Sequence, residues 1–114
     1  MEVKTQSSLF GSKTRTRVLL VLQVLGESYA RELSRVLEVP VSVVQKAMGS
    51  LEKDGLIAGR ITGRTRLYKI DQRFFASTEL RQLLIKLAEP EADLKSRLAK
   101  LRKRPRRAGK PSWL

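Results

Sequence analysis

The stretch VPVSVVQKAMGSLEKDGLI, residues 39–57, decides how the chain folds. With an advance of about 100° per residue, Val44, Met48 and Leu51 lie on one side, as in a helix that packs on a core. The opposite side contains no acid and is formed by small, basic or polar residues: Ser42, Lys46, Gly49 and Lys53, flanked by Gln45 and Ser50. A charged helix face is often only solvated, so this face alone does not indicate a function. The segments before and after it in the sequence must be considered with it.

Two further helices are predicted before this one. Ser12 is a suitable N-cap for a first helix that runs to about Leu25, where Gly26 closes it. Its apolar residues form so wide a stripe that we expect it at the centre of the core: Val18, Leu19, Leu20, Val21, Leu22, Val24 and Leu25. Ser28 is predicted to cap a second, shorter helix. The buried face of that helix is Ala30, Leu33 and Leu37.

A short connection joins the second and third helices. Pro40 cannot continue the second helix, because proline lacks the backbone N–H that a helix needs. Ser42 and Gln45 then form an S-x-x-Q pattern, which predicts a capping box at the start of the third helix. Asp54 and Gly55 end that helix. Two helices joined in this way predict a helix-turn-helix, the motif that presents its second helix to the major groove of DNA.

The pattern then changes to that of a β-hairpin. LIAGRI (56–61) and TRLYKI (65–70) are typical of strands, and Thr62-Gly63-Arg64 separates them. No acid occurs between residues 58 and 70, which favours phosphate contact or entry into the minor groove. Arginine on an edge strand can also serve to prevent aggregation. That role could account for one of the three arginines in this stretch, whereas all three together favour contact with nucleic acid. The predicted wing contacts are Arg60, Thr62, Arg64, Thr65 and Arg66.

Helical spacing resumes in STELRQLLIKL (77–87), whose predicted buried face is Leu80, Leu83, Leu84 and Leu87. Pro90 is predicted in the first turn of a fifth helix, in which Leu94, Leu98 and Leu101 repeat at helical spacing. Pro105 stops that helix, and we expect residues 106–114 to be disordered when free. The predicted tail contacts to DNA are Arg102, Lys103, Arg104, Arg106, Arg107 and Lys110.

The tail RKRPRRAGKP is similar to an AT-hook, whose central pattern is R-G-R-P. Lys103 stands where that pattern has glycine, which hinders deep insertion into the minor groove, so a general phosphate-binding arm is the preferred interpretation. The predicted fold is mainly α with a β-hairpin wing, in the order α-α-α-β-β-α. The predicted segments are an N-terminal lead (1–11), a winged helix-turn-helix (12–88), an amphipathic helix (89–104) and a flexible basic tail (105–114).

Composition narrows the classes of function. The 114 residues include 24 Lys and Arg but 11 Asp and Glu, a net charge of +13 that makes a polyanion the expected partner. Charge kept only for solubility rarely needs such an excess. The chain has no Cys and no His, so we expect no disulfide, metal, cofactor or enzymatic activity. No long apolar run occurs near the N-terminus, so we expect no membrane segment and a cytoplasmic, nucleoid-associated location.

ARELSRVLEVPVSVVQKAMGSLEKDGLI (30–57) and GRITGRTRLYKI (59–70) resemble winged helix-turn-helix transcriptional regulators of the ArsR/MarR type. LFGSKTRTRVLLVL (9–22) and YARELSRVL (29–37) add a resemblance to the small winged-helix domains associated with minimal nucleotidyltransferases. The resemblance covers residues 9–88. It implies that Ser42, Val43, Gln45 and Lys46 face DNA bases and that Arg64 lies at the wing tip. The Cys and His of metal-sensing relatives and the nucleotidyltransferase motif are absent from the sequence.

These observations favour a sequence-specific regulator that binds double-stranded DNA as a homodimer, because two copies read paired half-sites. The fourth helix and the Leu94-Leu98-Leu101 stripe are the candidate dimer surfaces. One alternative is a non-specific architectural protein of the nucleoid. Another is a protein-interaction adaptor for a separately encoded enzyme. RNA binding is less favoured, since the sequence shows no aromatic platform.

Overall fold

Five helices and one β-hairpin form the fold of the part of the chain that the structure describes. The computed structural model describes residues 9–103 of the chain. In chain order the elements are α1 Lys13–Leu25, α2 Ala30–Leu37, α3 Val41–Lys53, β1 Ile57–Thr62, β2 Thr65–Ile70, α4 Ser77–Ala88 and α5 Ala92–Lys103. The predicted fold class, mainly α with a β-hairpin between the third and fourth helices, is confirmed. None of these helices has the length and apolar character needed to cross a bilayer.

Helix α1 is the central helix. The Ser12 side chain accepts a hydrogen bond from the Arg15 backbone N–H at 3.1 Å, and Gly26 closes the other end with φ 88°. The run from Val18 to Leu22 is almost completely buried. Helix α1 packs against every other helix and against β2, so its apolar width is explained by neighbours on several sides.

Ser28 does not cap α2, contrary to the sequence prediction. Helix α2 begins after Tyr29 without a capping side chain. The backbone of Ser28 instead pairs with that of Tyr68 in β2, through hydrogen bonds of 2.8 and 3.0 Å, and its hydroxyl donates to Glu32 at 2.6 Å. Ser28 therefore ties the loop after α1 to the outer edge of the hairpin.

The turn between α2 and α3 also departs from the predicted capping box. Glu38 adopts a left-handed conformation with φ 59°, and the Ser34 hydroxyl donates to the Val39 carbonyl at 2.6 Å. Pro40 is the N-cap of α3, and its carbonyl accepts the first helical hydrogen bonds. Ser42 lies inside the first turn, two residues after the cap position, so the S-x-x-Q pattern was misleading.

The hairpin has a two-residue turn. Thr62 pairs with Thr65, which places Thr62 in β1 and leaves Gly63 and Arg64 as the turn. Gly63 has φ 62°, and a positive φ at this position is typical of the turns that match the twist of paired strands. The hairpin base is anchored in the core by Ile57 and Ile70.

Helices α4 and α5 complete the core of the single chain. Leu80 and Leu84 are buried as predicted, whereas Leu83 is 41% exposed. Helix α5 begins at Ala92, so Pro90 precedes the helix and does not lie in its first turn. Leu94 and Leu98 are 1% and 3% exposed. The prediction of a dimer surface is wrong for these two leucines, because they already pack within the monomer.

Candidate nucleic-acid interface

One face of α3 is open to solvent along its whole length. Val44, Ala47, Met48 and Leu51 are buried on the opposite side and hold the helix against the core. The outward face consists of the seven residues predicted from the sequence, and all of them are exposed: Ser42, Val43, Gln45, Lys46, Gly49, Ser50 and Lys53. The structure therefore brings the predicted set together on one surface.

The outward face of α3 is positively charged and can be approached closely. Neither Lys46 nor Lys53 makes an ion pair with any acid within residues 9–103. A Cβ placed on Gly49 would meet nothing within 4 Å, so this position is a shallow point on the surface. Val43 is 40% exposed and offers an apolar contact, of the kind that the methyl group of thymine accepts.

Ser50 is the member of this face that already has a partner. The Arg15 guanidinium donates to the Ser50 hydroxyl and forms a 2.9 Å ion pair with Asp54. Arg15 Nε also donates to the Phe10 carbonyl at 2.6 Å. Arg15 thus joins the start of α1 to the end of α3. This role of Arg15 could not be predicted from the sequence, because no local pattern connects residues so far apart in the chain.

The wing residues Arg60, Thr62, Arg64, Thr65 and Arg66 are all exposed, but they do not form one surface. Residues directly opposite in an antiparallel pair project to the same face, and neighbours along a strand project to opposite faces. Arg60 in β1 is paired with Leu67, and Arg66 in β2 is paired with Ile61. Arg66 therefore projects to the same face as Ile61, which is the neighbour of Arg60 along β1. Arg60 and Arg66 therefore occupy opposite faces of the hairpin.

Arg60 is bound by an acid from the loop after α1. Its Nε and Nη2 atoms each donate to a carboxylate oxygen of Glu27 at 3.1 Å, which makes the pair bidentate. The Nη1 atom donates to the Thr62 hydroxyl at 2.7 Å. Three hydrogen bonds within the protein therefore engage this guanidinium.

Arg66 is bound by an acid from α3. Its Nη2 atom donates to Glu52 Oε2 at 2.6 Å, and its Nε donates to the Tyr68 hydroxyl at 3.1 Å. The guanidinium carbon lies 5.4 Å from the centroid of the Tyr68 ring, within the range of a cation–π contact. The hydrogen bond to Glu52, followed by that to Tyr68, raises the pKa of Arg66 above its usual value.

Arg64 differs from the other two wing arginines. It occupies the second position of the turn, at the far end of the hairpin. Within residues 9–103 it makes no ion pair with an acid. Of the three wing arginines, Arg64 is therefore the one that no acid of the described residues binds.

The predicted tail is divided by the structure. Arg102 and Lys103 belong to α5, whereas Arg104, Arg106, Arg107 and Lys110 lie outside the described residues. Helix α5 is held to α2 by Arg97, which donates to the Val36 carbonyl and forms a 3.5 Å ion pair with Glu38. Among residues 9–103 no cluster of acidic side chains could hold a metal ion.

Comparison with known proteins identifies the family. Residues 12–72, which are 61 of the 114, match the family described as "Sugar-specific transcriptional regulator TrmB". The chain belongs to this TrmB family. The matched range extends from the N-cap of α1 to just beyond the hairpin, so it includes both the outward face of α3 and the wing. The protein is therefore a DNA-binding transcriptional regulator that recognises specific sequences, and the functional class predicted from its sequence is confirmed.

A solved structure shows the same fold. The adhesin competence repressor AdcR from Streptococcus pyogenes superposes with a TM-score of 0.61 and 17% identity, over 85% of this chain and 71% of that chain. This similarity confirms the winged-helix architecture. No curated protein sequence matches the chain.

Proposed function

We propose that α3 enters the major groove of operator DNA and that the hairpin lies against the phosphate backbone or the adjacent minor groove. The outward face of α3 carries this proposal, since its seven residues are all exposed, include no acid and contain two lysines without ion pairs in the described chain. Ser42, Val43, Gln45 and Lys46 would face base edges. Gln suits adenine and Lys suits guanine, because their side chains match the groups on those bases.

The remaining residues of the face have supporting roles in this proposal. Gly49 would allow α3 and the DNA groove to approach each other closely, because glycine has no side chain that would lie between them. Lys53, at the end of α3, would contact a phosphate, and Ser50 would do so while it accepts from Arg15. Such contacts position a protein on DNA without reading its sequence.

In the wing, Arg64 with Thr62 and Thr65 would make the phosphate contacts. All three lie at the turn, where the hairpin projects furthest from the core. Arg60 and Arg66 are held by Glu27 and Glu52, so they would reach phosphate only if those carboxylates released them.

A homodimer is the proposed binding form. One α3 of 13 residues reads a single half-site, and two-fold related copies would read two half-sites about 34–36 Å apart. On α4, Leu83 and Ile85 are 41% and 54% exposed, so this helix retains apolar surface that a partner could cover. Leu94 and Leu98 have no part in this proposal.

The finer classification is also a proposal. We place the protein with regulators of the ArsR/MarR type and with the winged-helix domains associated with nucleotidyltransferases, on the resemblance over residues 9–88. We propose a winged helix-turn-helix segment at 12–88 between a lead (1–11) and the α5 segment (89–104), and a cytoplasmic, nucleoid-associated location. No enzymatic step, metal or cofactor enters the proposed mechanism.

The basic C-terminal segment is proposed as a phosphate-binding arm. In the sequence, Arg104, Arg106, Arg107 and Lys110 would continue the run of basic residues that Arg102 and Lys103 begin. Deletion of residues 104–114 should lower affinity for all DNA at low salt and leave the preferred sequence unchanged, because such cations neutralise phosphates without reading bases. Binding curves at several salt concentrations would measure this. A changed consensus would contradict it and would favour an AT-hook.

Selection of bound sequences from a random DNA pool tests the proposed function. We expect one consensus with two related half-sites, a mass of two chains in solution, and footprints at discrete positions on genomic fragments. Uniform protection along the DNA would favour the architectural alternative. An absence of binding at moderate salt would favour the adaptor alternative.

A further inference from the structure

The contact between α3 and the wing is built around the side chain of Arg66. Its guanidinium bridges Glu52, in the last turn of α3, to Tyr68, in β2. Glu52 is the only acid of α3, and it stands beside a surface proposed to meet polyanionic DNA. A carboxylate there opposes binding unless its charge is neutralised, and Arg66 neutralises it at 2.6 Å.

Gly59 supplies the space that this arrangement requires. A Cβ added at residue 59 would lie 2.8 Å from Arg66 Nε and 2.9 Å from the next two guanidinium atoms. Such distances are shorter than real contacts, so any larger residue would displace the guanidinium. Gly59 does not have a positive φ, so its backbone conformation does not itself demand glycine. The packing of Arg66 is the reason that the structure offers for a glycine inside this strand, where glycine usually weakens pairing.

The cluster lies where it can control the position of the wing. Between the end of α3 and the start of β1 there are three residues, 54–56. The base of the hairpin is anchored in the core by Ile57 and Ile70, whereas Ile61 and Thr62 near its tip are exposed. Arg66 is paired with Ile61, close to the tip of the hairpin. The contact between Arg66 and Glu52 therefore attaches the hairpin to α3 at a point distant from its apolar base.

We propose that Glu52, Gly59 and Arg66 form a clamp that sets the position of the wing relative to the DNA-reading helix. Arg66 is then a positioning residue that stays on Glu52 in the DNA complex. This inference rests on the proposed function, because the clamp aligns the two surfaces that would contact DNA together. Its charge-assisted hydrogen bond, second hydrogen bond and aromatic contact all favour one guanidinium position.

The decisive variant is Gly59→Ala, because it displaces Arg66 while leaving every charge in place. We expect the folded protein to keep its thermal stability, since alanine suits a strand better than glycine does. Affinity for the selected operator should fall about 3- to 10-fold, which lies in the lower part of the range of coupling between contacting groups. The slope of affinity against salt should not change, because no phosphate contact is lost. In an Arg66→Ala background, Gly59→Ala should cause no further loss.

Glu52→Asp is the second variant and does not depend on Gly59. It keeps the charge but shortens the side chain by one methylene, so it should weaken operator binding with an unchanged salt slope. Glu52→Gln should also weaken binding when compared with Glu79→Gln, an equal change of charge at an exposed site on α4. A merely structural role would change stability in these variants before it changed operator affinity.

Two outcomes would overturn the clamp. Unchanged operator affinity in both Gly59→Ala and Glu52→Asp would show that the wing position does not depend on it. The second outcome combines two results. Glu52→Gln would bind the operator more strongly than Glu79→Gln, and Arg66→Ala would lower the salt slope by about one unit. Together these results would show that Arg66 binds phosphate. Lys46→Ala, measured on the same DNA, separates these results from failure of the proposed function. If Lys46→Ala weakens binding while the clamp variants do not, only the clamp is wrong.

Discussion

The outward face of α3 and the wing are both basic in sequence, yet their charges are disposed differently. Lys46 and Lys53 have no acidic partner within residues 9–103, whereas Arg60 and Arg66 are bound by Glu27 and Glu52. On a helix, side chains meet at spacings of three and four residues, and no acid stands at those spacings from either lysine. The partners of the wing arginines come from 33 and 14 residues away. Sequence spacing alone therefore does not show which cations are paired, since Arg15 and Arg97 on helices are also bound by acids from distant segments.

The ion pairs of the wing are partly exposed, and this determines what they can do. Exposed pairs contribute about 0–1 kcal/mol to stability, so Glu27 and Glu52 matter less for folding than for where each guanidinium points. We therefore expect cations without acidic partners to bind DNA, and we expect the paired arginines to position the wing.

The largest effect is expected from Lys46→Ala. Loss of a base contact should cost about 1–3 kcal/mol on the selected operator and less on random DNA, because random DNA is bound mainly through phosphates. Titrations on both DNAs measure the difference. Lys86→Ala is the matched control, since it removes the same charge from α4, where Lys86 pairs with Glu89. Equal losses on both DNAs would show that Lys46 does not read bases.

A smaller and uniform effect is expected from Arg64→Ala. A wing-tip cation that contacts phosphate should strengthen binding to every sequence alike, so its removal should lower the salt slope by about one unit. Affinities at four or five salt concentrations, on operator and random DNA, provide the measurement. If the slope stayed the same, Arg64 would point into solvent in the complex, and the wing would need another contact.

Arg60→Ala should change DNA binding less than Arg64→Ala does. Its guanidinium is already held by Glu27 and Thr62, so we expect a nearly unchanged salt slope. Stability should fall by no more than about 1 kcal/mol, as for other exposed pairs. Urea unfolding and salt titrations of the two variants would be compared directly. Equal slopes in both variants would show that pairing within the protein does not withhold a cation from DNA.

The smallest effect concerns an ion pair whose partners are close in sequence. Asp71 accepts hydrogen bonds from the Arg73 guanidinium at 3.2 Å and from its backbone N–H at 2.9 Å, and these lower the pKa of Asp71 below 3.8. A carboxyl whose folded pKa is depressed contributes stability above its unfolded pKa and loses it as the pH falls through the folded value. The stability difference between wild type and Asp71→Asn should therefore shrink below about pH 4. A constant difference in urea midpoint from pH 7 to pH 3 would contradict this.

Capping residues show where local patterns failed. Ser28 and Ser42 both have side chains that favour N-caps, and neither caps a helix. The backbone of Ser28 instead pairs with that of Tyr68, which lies 40 residues away in the chain. Ser42 lies two residues past the cap position, because Pro40, with its restricted φ, already occupies that position. Ser12, which has no such competitor, caps α1 as predicted.

The sequence by itself determined the helices, the hairpin between them, the buried side of α3 and the excess of positive charge. These are properties of neighbouring residues or of a simple total, and the periodicity of apolar residues reports them directly. Tertiary structure alone decided which cations remain free, that Leu94 and Leu98 belong to the monomer core, and that Gly59 leaves room for Arg66. These outcomes depend on which distant segments approach within a few ångströms, because burial and ion pairing require contacts that no local spacing records.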